Sequence, residues 1–317
     1  MLESVLIQNF KGFKNTLISP LRKVNLIIGG QNVGKTSVLE AVQICLGGAE
    51  VTTFRQNEVG DAHRFIASVM ADPCMTLYAR YSGREFVLTK REPTDKHLSE
   101  ISVSQQLFPT LTASGPHGAS YRLKNKRAIK ESEPRCVAVP LFLPPQVHLV
   151  TLFGKVILTR KKSQLTDLLK KVESRLVSLD AISPDGDQRV YAELDGVSQA
   201  LPLTLMGHGF SRLVHLFSEM LVSDAQIALI DEVENGIHYS ALPTLFQGIK
   251  TVAQEREVQS LITTHSWDCL RAACEVFEDT PDMFQVIRLE READGVKAVC
   301  IDGARMLRLM ADEREVR

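Results

Sequence analysis

The sequence lacks a cysteine framework. Its six cysteines, Cys45, Cys74, Cys136, Cys269, Cys274 and Cys300, form no CxxC pair. That spacing excludes a zinc framework and a small disulfide scaffold, and free thiols in a reducing cytosol are expected. An excess of one charge is also missing: 37 Lys and Arg against 38 Asp and Glu leave a formal net charge of −1. This excludes a histone-like role and leaves a local basic surface open. The opening MLESVLIQNFKGFKN lacks the basic, apolar and small-residue regions of a secretory leader, so a cytoplasmic location is expected. Residues 136–154 carry no Asp, Glu, Lys or Arg, a run long enough to raise a membrane helix. Pro140, Pro144 and Pro145 interrupt it, and Gln146 and His148 are polar. The expectation is a buried strand, Val137 to Phe142, ending in a proline turn, and no membrane partner. Internal repeats and low-complexity linkers are absent as well.

What is present is a globular composition, 44% hydrophobic and 24% charged. At about 150 residues per domain the length suggests about two domains, and one large α/β domain with an inserted lobe fits too. SVLIQNF alternates, KGFKN turns, and VNLII at 24–28 is an apolar run. A glycine-rich turn and an apolar helix, Thr36 to Leu46 with Gly47-Gly48 as its C-cap, complete half of a βαβ unit. Between residues 50 and 135, MTLYARY and EFVLT flank Ser82-Gly83 as a hairpin, with further short strands near 99–108 and 119–123. This region reads as antiparallel and edge-like. Residues 160–178 predict one helix with a stripe of Leu165, Leu168, Leu169, Val172 and Leu176. Tyr191 to Leu205 reads as a hairpin around Asp195-Gly196. The α/β alternation then returns, with helices at Phe210 to Val222, Ser240 to Glu255 and 266–278, and strands at Gln226 to Ile230 and Val258 to Thr264. Phe284 to Glu290 is expected to pair with Val296 to Ile301 across Asp294-Gly295.

Four elements carry chemistry. Gly29-Gly30-Gln31-Asn32-Val33-Gly34-Lys35-Thr36 matches GxxxxGK[ST], the P-loop. Average residue usage produces such a match in about one in 100 chains of this length, and the preceding strand and following helix strengthen it. The glycines let backbone N–H groups turn toward phosphate oxygens, and the helix N-terminus adds positive potential. Lys35 neutralises phosphate charge, Thr36 offers a hydroxyl to Mg²⁺, and Ser37 adjoins them. Second, Ile227-Ala228-Leu229-Ile230-Asp231-Glu232 reads as a central strand delivering Asp231 to the metal and Glu232 to the attacking water. Glu234 is a further carboxylate in the same loop. Third, VQSLITTH ends in His265, which a neighbouring strand would bring to the γ-phosphate. Fourth, Met206-Gly207-His208-Gly209-Phe210-Ser211-Arg212 opens a helix with two glycines, a setting suited to an anion.

In this order the elements resemble the ABC-type ATPase heads of the SMC, RecF and OLD class, and most of all the small AAA15/AAA21-type, OLD-like ATPases. The likeness spans LIQNFKGFKN, the P-loop, MGHGFSRLVHLF, LIDEVENGIHYS, ITTHS and the closing EREVR. It implies an α/β fold of P-loop ABC-ATPase type: a mixed central sheet, an antiparallel β subdomain and a small inserted helical lobe. One head would fill 1–317, with the core in 1–146 and 200–317 and the lobe in 147–199. Lys35 and Thr36 would be Walker A residues, Asp231 and Glu232 the Walker B acid and catalytic base, and His265 the switch histidine. Asn235-Gly236 would face a partner subunit. Gly207, Gly209 and Ser211 stand where such ATPases carry their signature motif, although LMGHGFSRL replaces LSGGQ. Gln146 sits where a Q-loop glutamine would reach the metal, and a plain turn residue reads equally well there. Phe13 is the sequence's candidate for stacking on adenine. The implied cofactors are ATP and Mg²⁺, and the implied assembly is a homodimer with two nucleotides sandwiched between heads.

The 160–178 helix is too short for a long coiled coil. The segment after His265 holds no DxD, and Asp185-Gly186-Asp187 follows no strand, so a TOPRIM nuclease on this chain is not expected. A separate effector protein, a TOPRIM-type nuclease being one candidate, fits the resemblance, as does a setting in anti-phage defence. The alternative is a RecF-like DNA-repair ATPase using Arg122, Lys124, Lys126, Arg127, Lys130 and the cations at 160–162. A GTPase or small-molecule kinase finds no NKxD motif or lid in support.

Overall fold

The computed structural model describes residues 1–46, 75–90, 98–103, 112–114, 120–124, 136–139, 146–183 and 186–312. Gly47-Gly48, Cys74, the cations Lys126, Arg127 and Lys130, the expected proline turn and Asp185 lie outside them. In chain order, β1 (Leu2–Phe10), β2 (Phe13–Ile18) and β3 (Val24–Gly29) precede α1 (Lys35–Leu46). Then come β4 (Met75–Tyr81), β5 (Arg84–Lys90), β6 (Leu98–Val103), β7 (Thr112–Ser114), β8 (Ser120–Lys124) and β9 (Cys136–Val139). The segment α2 (Gln146–Leu158), α3 (Lys162–Lys170), β10 (Leu176–Ile182), β11 (Arg189–Leu194) and β12 (Leu201–Pro202) follows. The chain closes with α4 (His208–Val222), β13 (Ile227–Ile230), α5 (Leu242–Glu255), β14 (Gln259–Thr263), α6 (Trp267–Val276), β15 (Phe284–Glu292), β16 (Gly295–Asp302) and α7 (Gly303–Ala311).

The six-stranded sheet has the order β16-β15-β3-β14-β13-β9. All its pairings are parallel except β15 with β16. A seven-stranded sheet, β2-β1-β4-β5-β6-β8-β7, packs beside it, and β10-β11-β12 forms a third. Period-two alternation explains the layering. Val24, Leu26 and Ile28 of β3, with Ala228 and Ile230 of β13, enter one core among α2 to α7. Ile27, Ile227 and Leu229 point to the other face, where α1, β1 and β4 cover them. Both faces are apolar because both are covered, which is why these strands read as unbroken hydrophobic runs.

Several elements differ from expectation. KGFKN is not simply a turn, since Phe13 already starts β2. The second sheet is antiparallel except for β6 and β8, which run parallel. The helix expected over 160–178 stops at Lys170, and Leu176 begins β10. Leu176 satisfied the helical stripe by spacing, yet it is the inward residue at the end of a strand pair with β11. The expected helical lobe therefore holds two helices and a β-hairpin. Of the expected strand, Val137 to Val139 lie in β9 and 140–142 fall outside the described residues; the uncharged run also holds the start of α2, whose Leu149, Leu152, Phe153 and Val156 face the core at helical spacing. Among the described residues, no helix is long and apolar enough to cross a membrane.

Three buried amides lock the non-catalytic end of the central sheet. Gln259 accepts from Leu2 N–H at 2.7 Å and donates to the Leu2 and Arg22 carbonyls at 2.9 and 2.7 Å. Asn25 donates to the Arg22 and Ser260 carbonyls at 2.7 and 3.1 Å. Gln285 reaches the Pro20 carbonyl and the Asn25 Oδ1, both at 2.8 Å. Together they tie the β2–β3 connection and the start of β1 to three parallel strands. Gln259→Leu leaves the Leu2 N–H and C=O buried without that partner, and a loss of about 3 kcal/mol is expected. Urea unfolding should show a lower midpoint at unchanged slope; a loss under about 1 kcal/mol would show that the belt is not structural.

Candidate functional site

The C-terminal ends of β3, β14 and β13 lie side by side, and each delivers part of one site. The P-loop leaves β3 and enters α1. Gly34 has φ +105°, and a Cβ there would fall 2.7 Å from the Phe13 ring. Phe13 is therefore a buried floor beneath the loop, which removes it as the adenine-stacking candidate. Val33 is buried below the loop, while Gly30, Gln31 and Asn32 face outward. Around Gly30, no described residue lies within 4 Å of the position a Cβ would take. The Lys35 ammonium donates to the Gly29 and Gly30 carbonyls at 2.8 Å each and lies 3.2 Å from His265 Nδ1. Burial pushes the Lys35 pKa down to about 8, against the pull of Glu232, Glu234 and Asp231. An incoming polyanion would favour its charged form.

Asp231 is buried at the tip of β13. Thr36 Oγ1 donates to its two carboxylate oxygens at 3.1 and 3.0 Å. Thr263, at the end of β14, donates to Oδ1 at 2.6 Å. The parallel register aligns Ile230 with Ile262, so the next residues, Asp231 and Thr263, meet as a consequence of strand pairing. Thr263 also accepts the Glu232 N–H at 2.8 Å. Glu232 has φ +44°, a left-handed conformation that costs a residue with a Cβ about 1–2 kcal/mol. Its carboxylate lies 4.0 Å from His265 Nε2. Glu234 accepts the His265 N–H at 2.7 Å and fixes that residue's backbone.

The Gly207–Arg212 element approaches from behind. Gly207 caps α4 with φ +87°, and among the described residues nothing lies within 4 Å of its Cβ position. A Cβ on Gly209 would fall 2.3 Å from the Gly236 carbonyl, so this helix start is pressed onto the Asn235-Gly236 loop. Ser211 is 6% exposed, and its hydroxyl donates to the Leu203 carbonyl at 2.9 Å. That bond seats the helix start. Arg212 donates to the Asp231 and Glu232 carbonyls at 2.8 and 2.9 Å. Sequence reasoning gave no role to Arg212 or Thr263. Each had a signal: Arg212 is the one cation among the buried positions of α4, and Thr263 precedes TH at a buried strand end.

The residues fit a nucleotide and Mg²⁺. Thr36 and Asp231 supply adjacent hard oxygen donors of the kind Mg²⁺ accepts, and the outward face of the glycine loop is open. Gln146 opens α2, but its side chain lies outside the described residues. Two of the three cations at 160–162 are committed internally: Lys161 donates to the Leu221 carbonyl at 2.6 Å, and Lys162 pairs with Asp180. This weakens the case for a DNA surface there.

The AAA_15 family, an AAA ATPase domain, matches residues 1–136 and 151–270. A curated ATP/GTP phosphatase from Helicobacter pylori (strain ATCC 700392 / 26695) is 24% identical, over 95% of this chain and 92% of its own length. Among solved structures, an SMC head bound to the C-terminal winged-helix domain of ScpA aligns with a TM-score of 0.59 at 14% identity, covering 95% of this chain and 97% of that one. The SMC head domain from Thermotoga maritima aligns with a TM-score of 0.53 at 13% identity, covering 95% and 99%. Both likenesses show the fold.

Thr263→Val keeps the shape of β14 and removes both the donor to Asp231 and the acceptor for Glu232 N–H. Turnover should fall about 10–100-fold with the fold intact, measured as steady-state nucleotide hydrolysis beside a circular-dichroism melt. Undiminished turnover would mean that Thr263 does not position the acids.

Proposed function

Because the chain belongs to the AAA_15 family of AAA ATPase domains and is an ATPase, we propose that it hydrolyses ATP held between two copies of itself and uses that dimer to gate a separate partner protein. The observation that carries this reading is the chain of contacts Lys35–His265–Glu232–Thr263–Asp231–Thr36, which joins all three strand ends. In this reading the P-loop amides and Lys35 hold the phosphates of ATP. Lys35 gives up the Gly29 and Gly30 carbonyls to do so. Thr36 and Asp231 hold Mg²⁺, which supplies charge neutralisation on the phosphates when bound. Glu232 takes the proton of the attacking water, and its fixed backbone aims the carboxylate. His265 lies between Lys35 and Glu232 and so registers the γ-phosphate.

The dimer rests on Gly207 and Gly209. Gly207 is open, and Gly209 touches the loop that follows the catalytic acid, so a partner copy pressing on this helix start would act on Glu232. For a protein partner, support comes from an SMC head whose solved structure holds the winged-helix domain of ScpA. A separate nuclease as that partner and a setting in anti-phage defence rest on the family resemblance, and a cytoplasmic location rests on the unpaired spacing of the cysteines.

The test is the solution mass of Glu232→Gln by light scattering, once with Mg-ATP and once with Mg-ADP. A dimer only with Mg-ATP is expected, with turnover reduced about 10²–10⁴-fold. Equal mass in both nucleotides would overturn the ATP-gated dimer, and unchanged turnover would overturn Glu232 as the base.

A further inference from the structure

A second cluster of ligating side chains lies on α4, away from the P-loop, where α2 packs against it. His215 and Glu219 are one turn apart on the same face of α4, and His148 comes from the first turn of α2. His148 Nε2 lies 3.3 Å from Glu219 Oε1, and His215 Nε2 lies 3.7 Å from the same oxygen. One ligand atom from each of the three residues falls within 4.8 Å of the others. The two imidazole rings meet edge-on with centroids 5.9 Å apart. Four ligands arranged tetrahedrally at about 2.0–2.1 Å from an ion stand about 3.3 Å apart. One edge of that figure is therefore already formed and a second is a few tenths of an ångström too long. The third, between the two imidazoles, lies within 4.8 Å and is the edge that binding would have to close.

We propose that His148, His215 and Glu219 bind a divalent transition-metal ion, Zn²⁺ first among them, and that the ion clamps α2 to α4. The donor set selects the ion. Two imidazole nitrogens and one carboxylate suit Zn²⁺, Co²⁺ or Fe²⁺, whereas Mg²⁺ and Ca²⁺ prefer oxygen donors throughout. Burial pushes the His215 pKa down to about 4, so this imidazole is neutral at ordinary pH and offers a lone pair. His215 is 2% exposed, Glu219 17% and His148 43%, so the site is anchored within the fold and open on one side. That opening gives an entry path and a place for water as the fourth ligand. The Arg212 cation lies one turn before His215, but its guanidinium is turned to the Asp231 and Glu232 carbonyls.

The clamp bears on the first site through α4, which carries Gly207 and Gly209 at one end and Glu219 near the other. Metal binding itself does not depend on the proposed dimer or on ATP turnover.

The experiment uses the full chain, stripped with chelator and titrated calorimetrically with Zn²⁺ in excess Mg²⁺. Parallel titrations use Asp231→Asn, His148→Ala and Glu219→Gln, and Co²⁺ absorption reports the ligand field. One Zn²⁺ per chain is expected in the parent and in Asp231→Asn. Affinity should drop about tenfold or more in His148→Ala and Glu219→Gln, with loss of the intense tetrahedral Co²⁺ bands. His148 is exposed enough that its truncation should leave the fold intact, which a thermal melt checks. Absence of saturable binding in the parent would overturn the proposal. So would binding that survives His148→Ala unchanged, or that disappears with Asp231→Asn.

Discussion

Asp231 ends a strand made otherwise of Ile227, Ala228, Leu229 and Ile230, and it is 1% exposed. A carboxylate removed from water costs several kcal/mol unless hydrogen bonds replace its hydration. Much of the site follows from that requirement. Thr36 supplies a hydroxyl from the helix after the P-loop, and Thr263 supplies one from the strand on the other side. Because β14 runs between β3 and β13, the residue at its tip is the one obliged to satisfy the acid. A hydrocarbon there would leave Oδ1 short of a donor. The same pairing brings His265, two residues later, to the Lys35 ammonium. One buried acid thus fixes which residue types three strands present at their ends.

The next residue inherits the arrangement. Glu232 adopts a left-handed backbone that local preference resists. Two bonds hold it there: its N–H reaches Thr263, and its carbonyl receives Arg212. The carboxylate is consequently aimed by its backbone, before any ligand arrives, as electrostatic preorganisation requires. Arg212 is suited to the task because one planar guanidinium group can reach two successive carbonyls. The bond crosses from α4 to the loop after β13, so the position of Glu232 and the seating of the helix start are not independent.

The parts of this plan legible in sequence are those with a period or a spacing. The P-loop, the IALIDE strand and the SLITTH strand each combine a fully buried run with polar residues at one end. The hairpin at Ser82-Gly83 and the pairing across Asp294-Gly295 were readable from turn chemistry. What escaped was set by partners distant in sequence. Gln259, Asn25 and Gln285 look like polar defects within buried strands until the β2–β3 connection passes beneath them. Thr263 is one of two adjacent threonines, and only the register against β13 selects it. Leu176 fits a helical stripe and a strand equally well, and β11 decides between them. Ser211 looked like a signature serine because it follows the glycines, yet the nearby Leu203 carbonyl claims its hydroxyl.

The two ends of the central sheet differ in what they permit. At the N-terminal ends the three amides are saturated with hydrogen bonds, so strands β3, β14 and β15 share one fixed base. At the C-terminal ends Asp231 is buried and hydrogen-bonded, Glu232 and His265 are partly exposed, and the Lys35 ammonium rests on the Gly29 and Gly30 carbonyls. Helix α4 leans on that upper rim through Arg212. Its core face packs so closely on α5 that a Cβ on Gly248 would fall 2.4 Å from the Phe217 ring, and a close-packed interior deforms little. A push at Gly207 or a clamp at Glu219 must then shift the helix as a body, and Arg212 transmits that shift to the carbonyls of Asp231 and Glu232. Coupling of this kind is reciprocal in binding free energy: what holds the two acids in place also holds the start of α4.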